Sequence, residues 1–179
     1  MAFDAEREVS KLWRALHGAQ DEIGRTYYRW RRSALELAGP DADPLEVSLR
    51  TATIMGQEIG KGMLPRLNWL KGEAAWTQAL ARQIAAHWQM QGALVEVGAG
   101  EEEGELLITW TRCPWPTFAK EYGAPMEEDV QCCDRILQSL LQDVNLLFNV
   151  DYRIETLRAI PRGEGACVRR LFPAPPPAP

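Results

Sequence analysis

Histidine is nearly absent from this sequence. Only His17 and His87 occur, which leaves little room for histidine-based metal sites. Cysteine is sparse as well. There are four, Cys113, Cys132, Cys133 and Cys167, and none precedes residue 113. Four cysteines in 179 residues do not form the dense disulfide framework of a small secreted domain. The close CxxC spacing of structural zinc sites is missing too. No apolar run approaches the length of a membrane span. The opening MAFDAEREVSKLW carries acids and bases where a signal peptide needs an apolar stretch. Positive charge is not in excess. The net charge is −5, so nothing draws the chain toward nucleic acid or an anionic membrane. There is no internal repeat. The expectation is a cytoplasmic protein with neither nucleic acid nor membrane as partner.

What is present fits one domain with its own core. Helical periodicity fills residues 1–91. From residue 92 the period shortens, and a hairpin–helix–hairpin block runs to residue 172 with every cysteine in it. The expected fold is α+β, with N-terminal helices packed on a small antiparallel sheet made of two β-hairpins separated by a helix. Residues 173–179, PAPPPAP, read as a polyproline-like tail outside the fold.

The first helix is expected from Glu6 to Leu37. Val9, Trp13, Leu16, Gln20, Ile23, Tyr27, Trp30, Ala34 and Leu37 form a heptad seam broken only by Gln20. A kink at Gly18 or Gly24 would fold this seam onto the chain's own core. Without a kink it overhangs a compact monomer, and a homodimer through this helix is expected. Arg29, Arg31 and Arg32 read as a solvated face. Asp43 and Pro44 start a second helix, which Gly62 and Pro65 should end. Gly56 and Gly60 share one side of it and suit close packing. A third helix is expected from about Gly72 to Gln91, with Trp76, Leu80, Ile84 and Trp88 on one face and His87 at its border.

Ala93–Val97 and Glu105–Arg112 read as the first hairpin. Leu106, Ile108 and Trp110 point to one side, and Leu107, Thr109, Thr111 and Cys113 to the other. Cys113-Pro114-Trp115-Pro116 closes the strand. A fourth helix is expected from Glu127 to Leu147, its acidic start suited to the helix dipole. Cys133 falls on its apolar face and Cys132 at the margin, with Asp134 adjacent. The last hairpin runs from Tyr152 to Ile160 and from Ala166 to Phe172, with Cys167, Arg169 and Leu171 on one side. Cys113, Cys167 and at least one of Cys132 and Cys133 are therefore expected to converge.

The block Cys113-Pro114, Cys132/Cys133-Asp134, Phe148-Asn149, Thr156-Leu157 and Gly165-x-Cys167 resembles the L-2-amino-thiazoline-4-carboxylic acid hydrolase family over about residues 106–172. More distantly, the layout resembles the 4-vinyl reductase type ligand-binding domain, which also ends in a cysteine on its last strand. Two mid-helix cysteines stand where the hydrolase pattern has one, and Arg169 stands where an aromatic is usual. The resemblance implies hydrolytic opening of a small cyclic amidine or thiazoline carboxylate. Cys113, Cys133, Asp134 and Cys167 would then be catalytic, and Arg153, Arg158 and Arg169 would bind the carboxylate. A cysteine can attack as a thiolate, or three cysteines can hold a zinc that activates water. No cofactor is specified. The alternatives are a non-catalytic small-molecule-binding or sensor domain, or an interaction protein that uses the first helix. A small-molecule ligand is the expected partner in the first two readings.

Overall fold

A computed structural model describes residues 5–68 and 76–174. The expected start of the third helix at Gly72 and the tail beyond Ala174 lie outside them. The fold is α+β: five helices and one four-stranded antiparallel sheet among the described residues.

Helix α1 (Ala5–Ala38) runs through Gly18 and Gly24 without interruption. Helix α2 (Pro44–Asn68) begins as its sequence dictates, with the Leu45 N–H donating to Asp43 Oδ1 at 2.9 Å. It does not end at Gly62 or Pro65. Pro65 lies inside it and forfeits one backbone bond, but the turn beyond is held by Leu67, which is fully buried. Helix α3 (Trp76–Met90) leads into β1 (Leu94–Ala99) and β2 (Leu106–Arg112).

The Cys-Pro-Trp-Pro run does more than stop a strand. Pro114 is the N-cap of an additional short helix, α4 (Trp115–Glu121), and Pro116 sits in its first turn. Those positions have no intrahelical acceptor for an N–H, so proline costs nothing there. Helix α5 (Met126–Phe148), β3 (Tyr152–Arg158), a 3-10 turn (Ile160–Arg162) and β4 (Cys167–Pro173) complete the chain. The strand thus takes in Pro173, one residue into the expected tail.

The strand order is β1-β2-β4-β3. The two hairpins merge because β4 pairs with β2, setting Ile108 opposite Arg169 and Trp110 opposite Cys167. The side facing the helices carries Ile108, Trp110, Cys167, Arg169 and Leu171, all buried. On the opposite side Arg170 bridges Glu105 and Glu155 at 3.2 and 2.8 Å. Helices α3 and α5 cover the inner side, with Leu80, Ile84, Leu137, Leu140 and Val144 in the core. Helix α2 lies behind α5 at close range. A Cβ on Gly56 would stand 2.3 Å from the Ile136 carbonyl oxygen, and one on Gly60 3.2 Å from that of Leu140. Glycine is what lets the two backbones approach. Helix α1 is outermost, against α2 and α4. No described helix is long and apolar enough to cross a membrane.

Candidate functional site

Two small adjoining cavities open where α1, α2, α3, α4, α5 and the inner side of the sheet meet. The outer one, about 40 Å³, is walled by Tyr27, Tyr28, Trp88, Trp115, Glu128, Asp129, Cys132 and Cys133. The inner one, about 30 Å³, is walled by Trp88, Trp110, Cys113, Trp115, Asp129, Cys133, Cys167 and Arg169. Trp88, Trp115, Asp129 and Cys133 line both. Each has room for roughly two or three waters.

Cys113, Cys133 and Cys167 therefore share one cavity. Cys167 and Arg169 arrive from β4, a central strand whose inner face is buried. Cys113 arrives differently from the alternation of β2. The strand ends at Arg112, so Pro114 and α4 turn Cys113 to the same side as Trp110. Of the adjacent pair, Cys133 is the one in the shared cavity, and Cys132 lines only the outer one. The Ile160 N–H donates to Cys167 Sγ at 3.1 Å. Burial pushes the Cys132 and Cys133 thiols up to about 12, Arg169 pulling Cys133 the other way. Burial also raises Cys113 strongly. These three groups are thus neutral thiols at physiological pH, not attacking thiolates. Among the described residues no group of three or more His, Cys, Asp or Glu side chains is arranged to hold a metal ion.

The remaining expected site residues divide. Arg169 is 2% exposed, lies 5.1 Å over the Trp110 ring and donates from Nη2 to Asp134 at 3.2 Å. Its Nε has no hydrogen-bond partner among the described residues. Asp134 is outside both cavities. It accepts from Thr156 Oγ1 at 2.5 Å and from Arg169, on the far side of that guanidinium. Arg153 and Arg158 are exposed on the edge strand β3 and line neither cavity.

The carboxylate that does line both cavities is Asp129, which sequence reasoning passed over. Its pKa is raised from 3.8 to about 6 by burial, which outweighs the hydrogen bond from Tyr28 and the pull of Arg169. Tyr28 Oη donates to Asp129 Oδ1 at 3.2 Å. The signal was present: Asp129 is four residues before Cys133, on the same face of α5, whereas Asp134 is one residue after it.

The aromatic wall is held from behind. Arg31, expected at a solvated face, is 8% exposed and forms a two-pronged pair with Glu128, at 2.5 and 2.6 Å. Ser48 completes it by donating to Glu128 at 2.7 Å. The network ties α1 to α2 and α5, which fixes Tyr27 and Tyr28 over the cavity. On the opposite wall the Trp115 indole donates to Gln91 Oε1 at 2.9 Å, and Gln91 Nε2 meets His87 Nε2 at 2.8 Å. An indole N–H can only donate, so the Gln91 oxygen must face it and the Gln91 amide must donate to His87. That assigns His87 Nε2 as a bare acceptor. Burial lowers the His87 pKa in the same direction.

No family model matches this chain, and no curated protein sequence matches it. The fold does have solved counterparts. One is a trafficking protein particle complex subunit 3 from Naegleria fowleri, covalently bound to palmitic acid. It is 12% identical over 87% of this chain and 97% of that one, with a TM-score of 0.50. Another is the phenol-responsive sensory domain of the transcription activator PoxR with phenol. It is 9% identical over 84% of this chain and 74% of that one, with a TM-score of 0.53. At these identities the likeness is one of fold.

Proposed function

We propose that this chain is a small-molecule-binding domain of sensory type. Its ligand is a planar molecule of about one ring that carries a hydrogen-bond donor. The observation behind this reading is Asp129, a half-buried carboxylate that faces two joined cavities between aromatic walls. Such a group accepts a hydrogen bond from a ligand hydroxyl or amidine, and Trp88, Trp115 and Tyr27 supply the flat surfaces around it. The unpartnered Arg169 Nε suits an acceptor at the opposite end. Scale separates the two structural counterparts as guides. Cavities of about 40 and 30 Å³ are far too small for a fatty acyl chain and, beside the roughly 150 Å³ of a cavity that takes benzene, admit one ring only when the walls move apart, so phenol is the nearer chemical guide.

Ring-opening hydrolysis is the second reading. What favours it is the convergence of Cys113, Cys133 and Cys167 with Asp129 and Arg169 around one cavity. A cyclic amidine carboxylate would set its amidine on Asp129 and its carboxylate on Arg169. The neutral thiols weigh against covalent attack, which is why binding ranks first.

Tryptophan fluorescence tests both readings, since Trp88, Trp110 and Trp115 wall the cavities. The protein is titrated with phenol, benzamidine and 2-aminothiazoline-4-carboxylate, and each mixture is then followed by mass spectrometry. Saturable quenching that Asp129→Ala weakens at least tenfold, with every ligand recovered intact, is the expected result. Gain of one water by the thiazoline would move the assignment to hydrolase. Quenching by none of the three, or quenching indifferent to Asp129→Ala, would overturn the site.

A further inference from the structure

Helix α1 leaves a long apolar stripe in water. Its inward positions, Gly24, Tyr28 and Arg31, are buried against the rest of the chain. About a quarter turn away, Val9, Leu16, Ile23, Trp30 and Leu37 recur every seven residues and are 45–89% exposed. Leu12 and Trp13, 70% and 56% exposed, widen the stripe toward the N-terminus. Together these seven side chains expose on the order of 900 Å², close to the roughly 800 Å² that each partner buries in a standard stable interface. The largest apolar patch of an ordinary monomer is smaller, about 300–600 Å².

The overhang adds a second argument. From Ala5 to Ala19 every residue but Glu8 is exposed. From Val9 to Ala19, three turns of helix are exposed throughout, with none of their apolar side chains buried among the described residues. An isolated helix of that length is marginal in water, and its apolar side chains need cover. Charge then selects the direction of pairing. The half from Glu6 to Glu22 carries Glu6, Glu8, Asp21 and Glu22 against Arg7, Lys11 and Arg14. The half from Arg25 to Glu36 carries Arg25, Arg29 and Arg32 toward solvent against Glu36 alone, Arg31 being buried on Glu128. Two parallel copies would set basic half on basic half. Two antiparallel copies set acidic half on basic half, and a two-fold axis perpendicular to the helices generates that arrangement.

The geometry points to a homodimer in which α1 pairs antiparallel with α1 of a second copy, centred near Ile23. The overhanging segment from Val9 to Leu16 of each chain then covers the stripe from Trp30 to Leu37 of the other, and Ile23 meets its own copy. The seven-residue recurrence is that of a two-stranded coiled coil. Dimerisation and ligand binding are separable, because Trp13 and Trp30 wall neither cavity.

Sedimentation equilibrium of the full chain tests this. The expected mass is twice the 20.2 kDa of one chain at micromolar concentration. Trp13→Glu and Trp30→Glu should each weaken the dimer at least tenfold with an unchanged far-ultraviolet spectrum, since both positions are half exposed. Direction is read by disulfide trapping in a background with the four native cysteines replaced by serine or alanine. Ile23→Cys should link to its own copy, and Val9→Cys should not. If the cysteine-free background does not fold, paramagnetic broadening from a label at Lys11 reads the same distances. A monomer at 100 µM, or a dimer indifferent to both tryptophan substitutions, would overturn the proposal. Efficient self-linking at Val9→Cys would overturn its antiparallel form. A wild-type monomer that dimerises only when residues 175–179 are deleted would assign the stripe to the chain's own tail instead.

Discussion

Asp129→Asn should stabilise the protein while damaging its site. The carboxyl is half-buried beside Cys133 and Cys113, and its pKa rises from 3.8 to about 6 mainly through loss of solvation. A group whose folded pKa is raised helps the folded state below its unfolded pKa, and that help is lost as pH rises through the folded value. At pH 7 the ionised Asp129 therefore costs stability relative to pH 3. A rise from 3.8 to about 6 corresponds to about 3 kcal/mol, at about 1.4 kcal/mol per tenfold change in proton affinity. Asparagine does not titrate, has nearly the same shape and still accepts the Tyr28 hydroxyl through Oδ1. It gives up the attraction to Arg169, so about 3 kcal/mol is an upper value. For a chain of this size that gain would raise Tm by roughly 6–12 °C.

The assay is a set of urea or thermal melts of wild type and Asp129→Asn between pH 4 and 8. The stability difference should be small near pH 4, grow through pH 5–6 and level off above pH 7. Taking the difference removes every other titrating group common to both proteins, His87 included. Ligand quenching should weaken in the same variant wherever the wild-type carboxylate is ionised. A variant less stable than wild type at pH 7, or a difference that does not change with pH, would refute the reasoning. Either result would mean that Asp129 is well solvated or well paired, and that the cavity does not hold a strained carboxylate. A chain that keeps a destabilising, poorly solvated acid between aromatic walls trades stability for function at that point.

Two further outcomes follow from the packing and the polar relay. Gly56→Ala should cost about 1–3 kcal/mol through overpacking against the Ile136 carbonyl, and Gly60→Ala distinctly less, because its added Cβ would stand 3.2 Å from backbone oxygen rather than 2.3 Å; equal denaturation midpoints would contradict the close approach of α2 and α5. The lowered pKa of His87 makes its contribution fully present above its unfolded pKa of about 6.5 and lost as pH falls below it. Wild type should therefore lose stability relative to His87→Gln on going from pH 7 to pH 5, with a matching change in Trp115 fluorescence, and a flat difference would break the assigned relay.

The N-terminal helices and both hairpins were legible because each carries its own period. Steps of three and four run through α1, α2, α3 and α5, and alternation runs through β2 and β4. Helix α4 was not legible, since seven residues with two prolines look like a strand stop, and only tertiary contact with α1 through Phe118 and Gly24 gives it a reason to wind.

The arginines show where local reading ends. Arg153, Arg158 and Arg169 are equivalent by type and by hairpin, and nothing within the hairpin ranks them. The ranking comes from strand order. Once β4 pairs with β2 as well as β3, its inner residues lie beneath α5, and Arg169 must be buried and find Asp134 and the Trp110 face. Strand β3 is left at the edge, so its arginines stay in water. The acids at the start of α5 divide for the same reason. Glu127, Glu128 and Asp129 occupy one helical turn and suit the dipole equally, yet they point a third of a turn apart. Glu127 reaches Arg162 in solvent, Glu128 reaches buried Arg31, and Asp129 meets the cavity. Each outcome depends on which element lies opposite, and that element comes from a distant part of the chain. Cys133 and Cys167 escaped this ambiguity because α5 and β4 announce their buried faces by period, whereas the alternation of β2 sent Cys113 to the side away from Trp110. Asp129 stands on the face Cys133 had already marked, so carrying helical spacing back by one turn from a trusted inward residue is the step that finds the site.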